Sequence, residues 1–468
     1  MRLTWCGLIE IASRIISSTY TLPLDKLEKA IHLSNWRTAL HFGGVAWTLL
    51  ILWLLVRWGL GEGVGGWAAS LTQSAWLRGF LVVPVWLALF SLIGLPIEAA
   101  SHAVSLHYGL SIQQWTGWFR DWSLSSLLLI LFGTLALACL YALIRHSPRR
   151  WWLWFWLITI PVEVLGIYAL PVFIDPLFNH FSPLEKSDPA LVEQLERVAA
   201  KGGIDIPPSR MFLMDASAKS TGVNAYVTGF GSSKRIVVWD TTLKLASTDE
   251  ILFIYGHEQG HYVLRHIVKG LIFSAVLIFV FYWIAYRLLR WMVTRYGDTW
   301  RIRSVDDWAS VGLVLLLMTL LSFLAEPIGN AFSRRIEHQA DVYGQEVIHG
   351  LVADPQQIAT QDFQHLGEIW LENPSPNKFV EWWTYSHPST SERKRFAAGY
   401  DPWVIGNEPR YFRKEFACRR IKRRHSDDQR KEESMRCSIS RAVSSFLQES
   451  IKGLCRGRHS LDSLLRSE

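Results

Sequence analysis

The chain has 468 residues, half of them hydrophobic and 24 of them tryptophan. With 19% of residues charged and a positive mean hydropathy, it is too apolar for an ordinary soluble enzyme and too long for one small domain. Its net charge is +7, with much of the excess after Arg410. In so apolar a chain that balance reflects membrane orientation and lipid head groups, so the lipid bilayer is an expected partner and nucleic acid is not.

In chain order, the first 20 residues hold no apolar core of signal-peptide length, because Glu10 and Arg14 interrupt them. The first span is therefore expected to act as an uncleaved signal. A spanning helix needs about 20 mostly apolar residues. Such windows centre on Gly43–Val56, Phe80–Leu95, Leu124–Ile144 and Trp151–Ile174, with kinks expected at Pro161 and Pro171. They make 1–174 an N-terminal membrane region of four spans. Trp151, Trp152 and Trp154 suit an interfacial belt.

Residues 175–267 read as a soluble segment. A helix is expected over Pro189–Ala200, ended by Gly202 and Gly203. Met211–Met214 and Arg235–Trp239 have strand composition. Ser247 and Glu250 form a capping-box pattern, opening a helix that should run through His261 to about His266. Residues 268–328 hold two further spans, Gly270–Leu289 and Trp308–Leu324. Residues 329–409 open with a polar helix, about Asn330–His349, and 410–468 read as a basic, disordered tail. The five cysteines (Cys6, Cys139, Cys418, Cys437 and Cys455) are scattered, with no CxxC pair, so neither a disulfide framework nor a cysteine metal site is implied.

Orientation is contradictory by charge. Lys26, Lys29 and Arg37 before the first span place the amino terminus, and with it the soluble segment, in the cytoplasm. Arg290, Arg295, Arg301 and Arg303 argue the other way. The expected location is a multi-pass integral protein of a bacterial inner membrane, with the soluble segment cytoplasmic. The expected fold class is mainly α: a polytopic α-helical membrane protein with a small α/β domain, zincin-like in that it carries an HExxH pattern at His257–His261.

The chemistry rests on HEQGH, His257 to His261. On a helix, residues four apart share a face, so His257 and His261 can hold one zinc ion, and Glu258 stands beside them. Zinc brings the pKa of water towards 7, and a carboxylate can then take its proton. The competing reading is two polar residues on a solvated face. The preceding ILFIYG argues against it, because a buried polar group needs a partner. A third ligand should come from elsewhere in the chain. Glu337 fits, with Asp341 one turn on to accept a proton from a ligand imidazole. Spacing alone favours an ordinary helix surface, with both acids paired to Arg334 and Arg335. Glu326 and His338 compete for the ligand role.

Taken together, these residues resemble the zinc peptidase family that contains the type I CAAX prenyl protease (Ste-type) and the bacterial HtpX-like membrane peptidases. NAYVTGFG (Asn224 to Gly231) with RIVVWDTTL, HEQGH, SRRIEHQAD and SHPSTSERKR (Ser386 to Arg395) carry the likeness. IYALPVFIDPLFNHFSPL and HYGLSIQQWTGWFRD are similar to the Ste-type branch, and the resemblance spans about Tyr20 to Pro402. It implies one zinc per chain on His257, His261 and Glu337, with Asp341 and Arg393 supporting the ligands. It implies Glu258 as the base, His387 as a donor to the oxyanion, and Asn224, Ala225 and Tyr226 on an edge strand that pairs with substrate. Apart from the resemblance, His387 reads as a loop histidine and Asn224–Tyr226 as a hairpin strand.

The expected function is a zinc-dependent membrane endopeptidase acting on a peptide or protein substrate, itself membrane-associated or not. The alternatives are an HtpX-like quality-control protease for membrane proteins and, in another class, a transporter or receptor with a non-catalytic HExxH. A transporter would favour charges inside the spans, where only Glu163 and Glu326 stand out.

Overall fold

The computed structural model describes residues 19–204, 206–229, 234–404 and 407–412. The tail expected over 410–468 therefore lies, beyond Phe412, outside the described residues. Backbone polar groups in lipid must be satisfied within the segment, so apolar windows of this length become helices. The N-terminal region folds into α1 (Leu24–Arg57), the short α2 (Leu60–Leu71), α3 (Ala75–His107), α4 (Trp115–His146) and α5 (Trp151–Ala169). α5 continues through a π-helical turn, Leu170–Ile174, to Phe178. Pro171 falls in that turn, where the hydrogen-bond ladder changes register, and Pro161 lies inside α5.

With α9 (His266–Trp300) and α10 (Val311–Val347), six helices are long and apolar enough to cross a membrane. None of the most apolar window of α9 is buried within the protein. Leu127, Leu131, Leu165, Ile272 and Val276 also stand exposed. An apolar surface this extensive needs lipid against it. Inside the bundle, Trp86, Tyr141, Trp308, Val311, Leu313 and Leu317 form one core, and the Tyr141 hydroxyl lies 2.6 Å from Ser310 Oγ.

The soluble part follows α5. Strand β1 (Phe181–Pro183), α6 (Pro189–Lys201), β2 (Met211–Met214), β3 (Ala225–Thr228), β4 (Arg235–Trp239), α7 (Asp240–Leu245) and α8 (Thr248–Val263) come in order. The sheet runs β1-β2-β4-β3, with β2 and β4 parallel and the other pairs antiparallel. Strand β3 pairs Ala225 with Val238 and Thr228 with Arg235, which leaves its other side as an open edge. The chain returns from the membrane through α10 and closes with α11 (Pro355–Trp370), α12 (Lys378–Thr384) and α13 (Thr390–Gly399).

Three boundaries differ from the sequence reading. α8 ends at Val263, not near His266, because Arg265 takes φ 58° and leaves the helix before α9 starts. The polar helix expected from Asn330 is the continuation of the sixth span, one 37-residue helix running through Pro327. Arg410, Tyr411 and Phe412 belong to the folded part, since their N–H groups donate to the buried Glu346 carboxylate.

α8 and α10 cross at nearly backbone contact. A Cβ on Gly344 would lie 2.9 Å from the His257 nitrogen, and one on Gly256 would lie 2.8 Å from Val347 Cγ1. Phe253, Tyr255, Tyr343 and Val347 pack beside this crossing with Leu191, Leu195 and Val198 of α6.

Candidate active site

The capping box that opens α8 is complete: Ser247 Oγ accepts from Glu250 N at 3.3 Å, and Glu250 Oε2 accepts from Ser247 N at 2.7 Å. The helix then presents His257 and His261 to the face of α10 that carries Glu337 and Asp341. His257 Nε2 and His261 Nε2 lie 3.2 Å apart. Glu337 Oε2 lies 3.2 Å from the first and 3.6 Å from the second. One ligand atom from each of the three thus lies within 4.8 Å of the others, a group that could hold a metal ion.

The donor set fits zinc on two grounds. Donors placed tetrahedrally at 2.0–2.1 Å from zinc stand roughly 3.3 Å apart, close to the separations here. The local field also favours a cation. Burial alone lowers the His257 pKa, yet hydrogen bonds to Asp341 and Glu337 outweigh it and lift the value to about 10. A metal at Nε2 takes the place of that proton.

The supporting contacts are specific. Asp341 Oδ1 lies 2.8 Å from His257 Nδ1, which leaves Nε2 free to face Glu337. Arg393 of α13 grips the same carboxylate with Nε at 2.9 Å and Nη2 at 2.6 Å. Its guanidinium rests on the Phe363 ring at 4.4 Å. His387, just before α13, places Nε2 3.2 Å from Glu337 Oε2.

Glu258 turns from this group towards the sheet. Val227 N donates to its Oε2 at 3.4 Å, and burial pushes its carboxyl above the usual carboxylate range. Since Val227 N–H points away from β4, alternation puts the polar groups of Ala225 on the same open edge. Tyr226 is turned to β4. Asn224 has its backbone engaged, N–H to Thr242 Oγ1 at 2.8 Å and C=O from Trp239 N at 3.1 Å. The residue lines a 630 Å³ cavity that also reaches His387, Arg393 and, on α1, Arg37 and His41.

The competing ligands lie elsewhere. Glu326 Oε2 is 3.1 Å from His41 Nε2 and accepts from Trp383 Nε1, and His338 packs against Phe396. Arg334 donates to backbone carbonyls of α12 and its exit, including Tyr385 O at 2.6 Å, not to Glu337 or Asp341. Sequence reasoning missed His266 and Gln339. His266 Nδ1 is 3.2 Å from His261 Nδ1, and its Nε2 is 3.1 Å from Gln339 Oε1. These two stand behind His261 much as Asp341 and Arg393 stand behind His257. The signal was a third histidine five residues after the second, outside the HExxH pattern.

The likeness to known proteins follows the same layout. Residues 185–400 match the profile of peptidase family M48. Residues 18–180 match the CAAX prenyl protease N-terminal region, described as five membrane helices. That stretch corresponds to α1–α5, of which α2 is short. The metalloprotease YhfN of Bacillus subtilis is 32% identical over 80% of this chain and 85% of its own length. CAAX prenyl protease 1 of Saccharomyces cerevisiae is 29% identical over 65% of this chain and 69% of its own. The crystal structure of Ste24p from S. mikatae has the same fold, with a TM-score of 0.69 at 23% identity, covering 84% of this chain and 98% of that one. The chain belongs to peptidase family M48 and is a membrane metalloprotease of the CAAX prenyl protease-like kind.

Proposed function

We propose that this chain is a zinc-dependent membrane endopeptidase similar to CAAX prenyl protease 1, with one zinc ion held by His257, His261 and Glu337. The observation that carries the reading is the convergence of three donor atoms, 3.2–3.6 Å apart, beside a buried glutamate and an open strand edge. When bound, zinc supplies the Lewis acidity that makes water acidic near neutral pH and polarises a carbonyl.

The protein does the rest. Asp341 fixes the His257 tautomer so that Nε2 stays an acceptor, and Arg393 holds Asp341 in place. Substrate lies extended along β3, where the Ala225 N–H and C=O and the Val227 C=O offer main-chain hydrogen bonds beside the cavity that Asn224 lines. Glu258 takes the proton of the attacking water and returns one to the leaving amine. Its raised carboxyl pKa brings its basicity nearer to that task. His387 Nε2 donates to the developing oxyanion. The substrate is a peptide or protein within reach of the membrane.

Glu258→Gln tests this directly. Gln keeps the shape but is no base, so peptide hydrolysis should fall by about a hundredfold or more. Elemental analysis should still find one zinc per chain. Unchanged turnover would remove Glu258 from the chemistry, and loss of zinc would make it a ligand. Zinc at full occupancy in His257→Ala would sink the ligand set.

A further inference from the structure

At the end of the bundle remote from the His257–His261–Glu337 group, α4 ends, α5 begins, α9 ends and the loop into α10 passes. A cavity of 380 Å³ opens there, lined by Arg145, Arg149 and Arg290, with Asp306 the one carboxylate in its wall. That volume lies within the range of small-molecule sites, roughly 300–1,000 Å³.

Two of the arginines, Arg145 and Arg290, are positioned by neutral groups. The Arg145 guanidinium lies over the Trp308 ring at 4.4 Å, and its Nη2 donates to the Asp306 carbonyl at 3.0 Å. Its Nη1 is buried with no hydrogen-bond partner. Arg290 Nη1 donates to the Tyr286 hydroxyl at 2.6 Å. The Asp306 carboxylate accepts from Ser304 Oγ at 2.6 Å. Among the described residues, none of the three arginines forms an ion pair. Three guanidinium groups around one cavity, with no carboxylate on any of them, suit an anion with several oxygens, and phosphate matches their fork geometry.

The setting selects the source of that phosphate. Trp76, Trp154 and Trp291 stand exposed around these helix ends, as aromatic side chains do at a membrane interface. Below them, Ile158 and Val162 of α5 and Val276 and Val280 of α9 are exposed and apolar. A phosphate at the cavity mouth, with hydrocarbon chains beside it, meets both surfaces.

We propose that this cavity binds the phosphate of an anionic phospholipid through Arg145, Arg149 and Arg290, with the acyl chains lying along α5 and α9. Basic pockets between spanning helices take such head groups. The site is separate from the peptide-cleaving group and does not depend on it.

The test is native mass spectrometry of the full chain in a nonionic detergent, titrated with short-chain phosphatidylglycerol, phosphatidylcholine or inorganic phosphate. Arg145 is left in place, since replacing it would disturb the Trp308 stack. The double variant Arg149→Gln with Arg290→Gln removes two charges from the rim. Phosphatidylglycerol should be retained in preference to phosphatidylcholine, and the double variant should weaken that retention about thirtyfold, near fivefold per surface arginine. Circular dichroism and peptide hydrolysis should match the parent. Equal retention of the two lipids, or retention unchanged in the double variant, overturns the proposal. Competition by inorganic phosphate at equal concentration overturns the lipid assignment in favour of a free-phosphate site.

Discussion

The two ends of α10 achieve burial by different means. From Val311 to Leu321 the buried side chains are Val311, Leu313, Val314, Leu315, Leu316, Leu317 and Leu321, all uncharged. From Glu337 to Val347 the same helix buries Glu337, Asp341, Gln345 and Glu346. The first end needs only apolar neighbours of suitable shape. The second needs specific partners, because an unpaired buried charge costs several kcal/mol. Those partners come from far along the chain. His257 and Arg393 serve Asp341, the carbonyls of Ala397 and Tyr400 serve Gln345, and the Tyr400 hydroxyl with the N–H groups of 410–412 serves Glu346. The polar end of α10 is thus the post around which the peptidase part is fastened.

That contrast can be broken at the polar end first. Arg393→Met should leave Asp341 buried without its guanidinium and cost roughly 3–5 kcal/mol in a denaturant titration. A loss below about 1 kcal/mol would show that Asp341 is screened some other way. Next comes the chain end. A chain stopped after Asn407 loses the backbone donors to Glu346 and the Phe412 ring, and should lose about 3 kcal/mol, whereas one stopped after Phe412 should not. Equal thermal midpoints for the two would remove Glu346 from the list of buried charges that need partners.

Asp341→Asn sharpens the comparison at the candidate ligands. The amide cannot accept and hold charge as the carboxylate does, so zinc affinity, read by competition with a chelator, should fall about 10–100-fold. Unaltered affinity would mean that the contact to His257 serves folding alone. The smallest effect belongs to the membrane surface. Leu131→Ala on the exposed flank of α4 should change stability by no more than about 0.5 kcal/mol. A larger loss would place that flank against protein.

Much of this was legible in the sequence, and for physical reasons. Apolar windows marked all six spans, because length and hydropathy are what the bilayer reads. β2, β4, α6 and the Ser247 cap fell where local chemistry put them. The helix ends did not. A change from apolar to polar residues near Glu326 looked like a boundary, yet composition does not interrupt a hydrogen-bond ladder, and α10 runs on. α1 likewise starts at Leu24, well before its apolar window. HExxH spacing brought His257 and His261 to one face. Spacing could not choose between Glu337, Glu326 and His338, because all three lie on α10 and the choice depends on where along that helix α8 crosses and which face meets it. Glu346 was silent in the sequence because its partners lie 54–66 positions away.

The glycine crossing of α8 and α10 has a consequence for how such a site can diverge. With Gly344 facing the His257 backbone and Gly256 facing Val347, neither position tolerates even a methyl group unless the two helices part. Parting them would move Glu337 away from His257. The spacing of the three donors is therefore closed to gradual drift. Variation can accumulate instead along β3 and around the walls lined by Asn224 and Arg37, the surfaces that the proposed function assigns to substrate. The cutting geometry stays fixed while the choice of substrate remains free to wander.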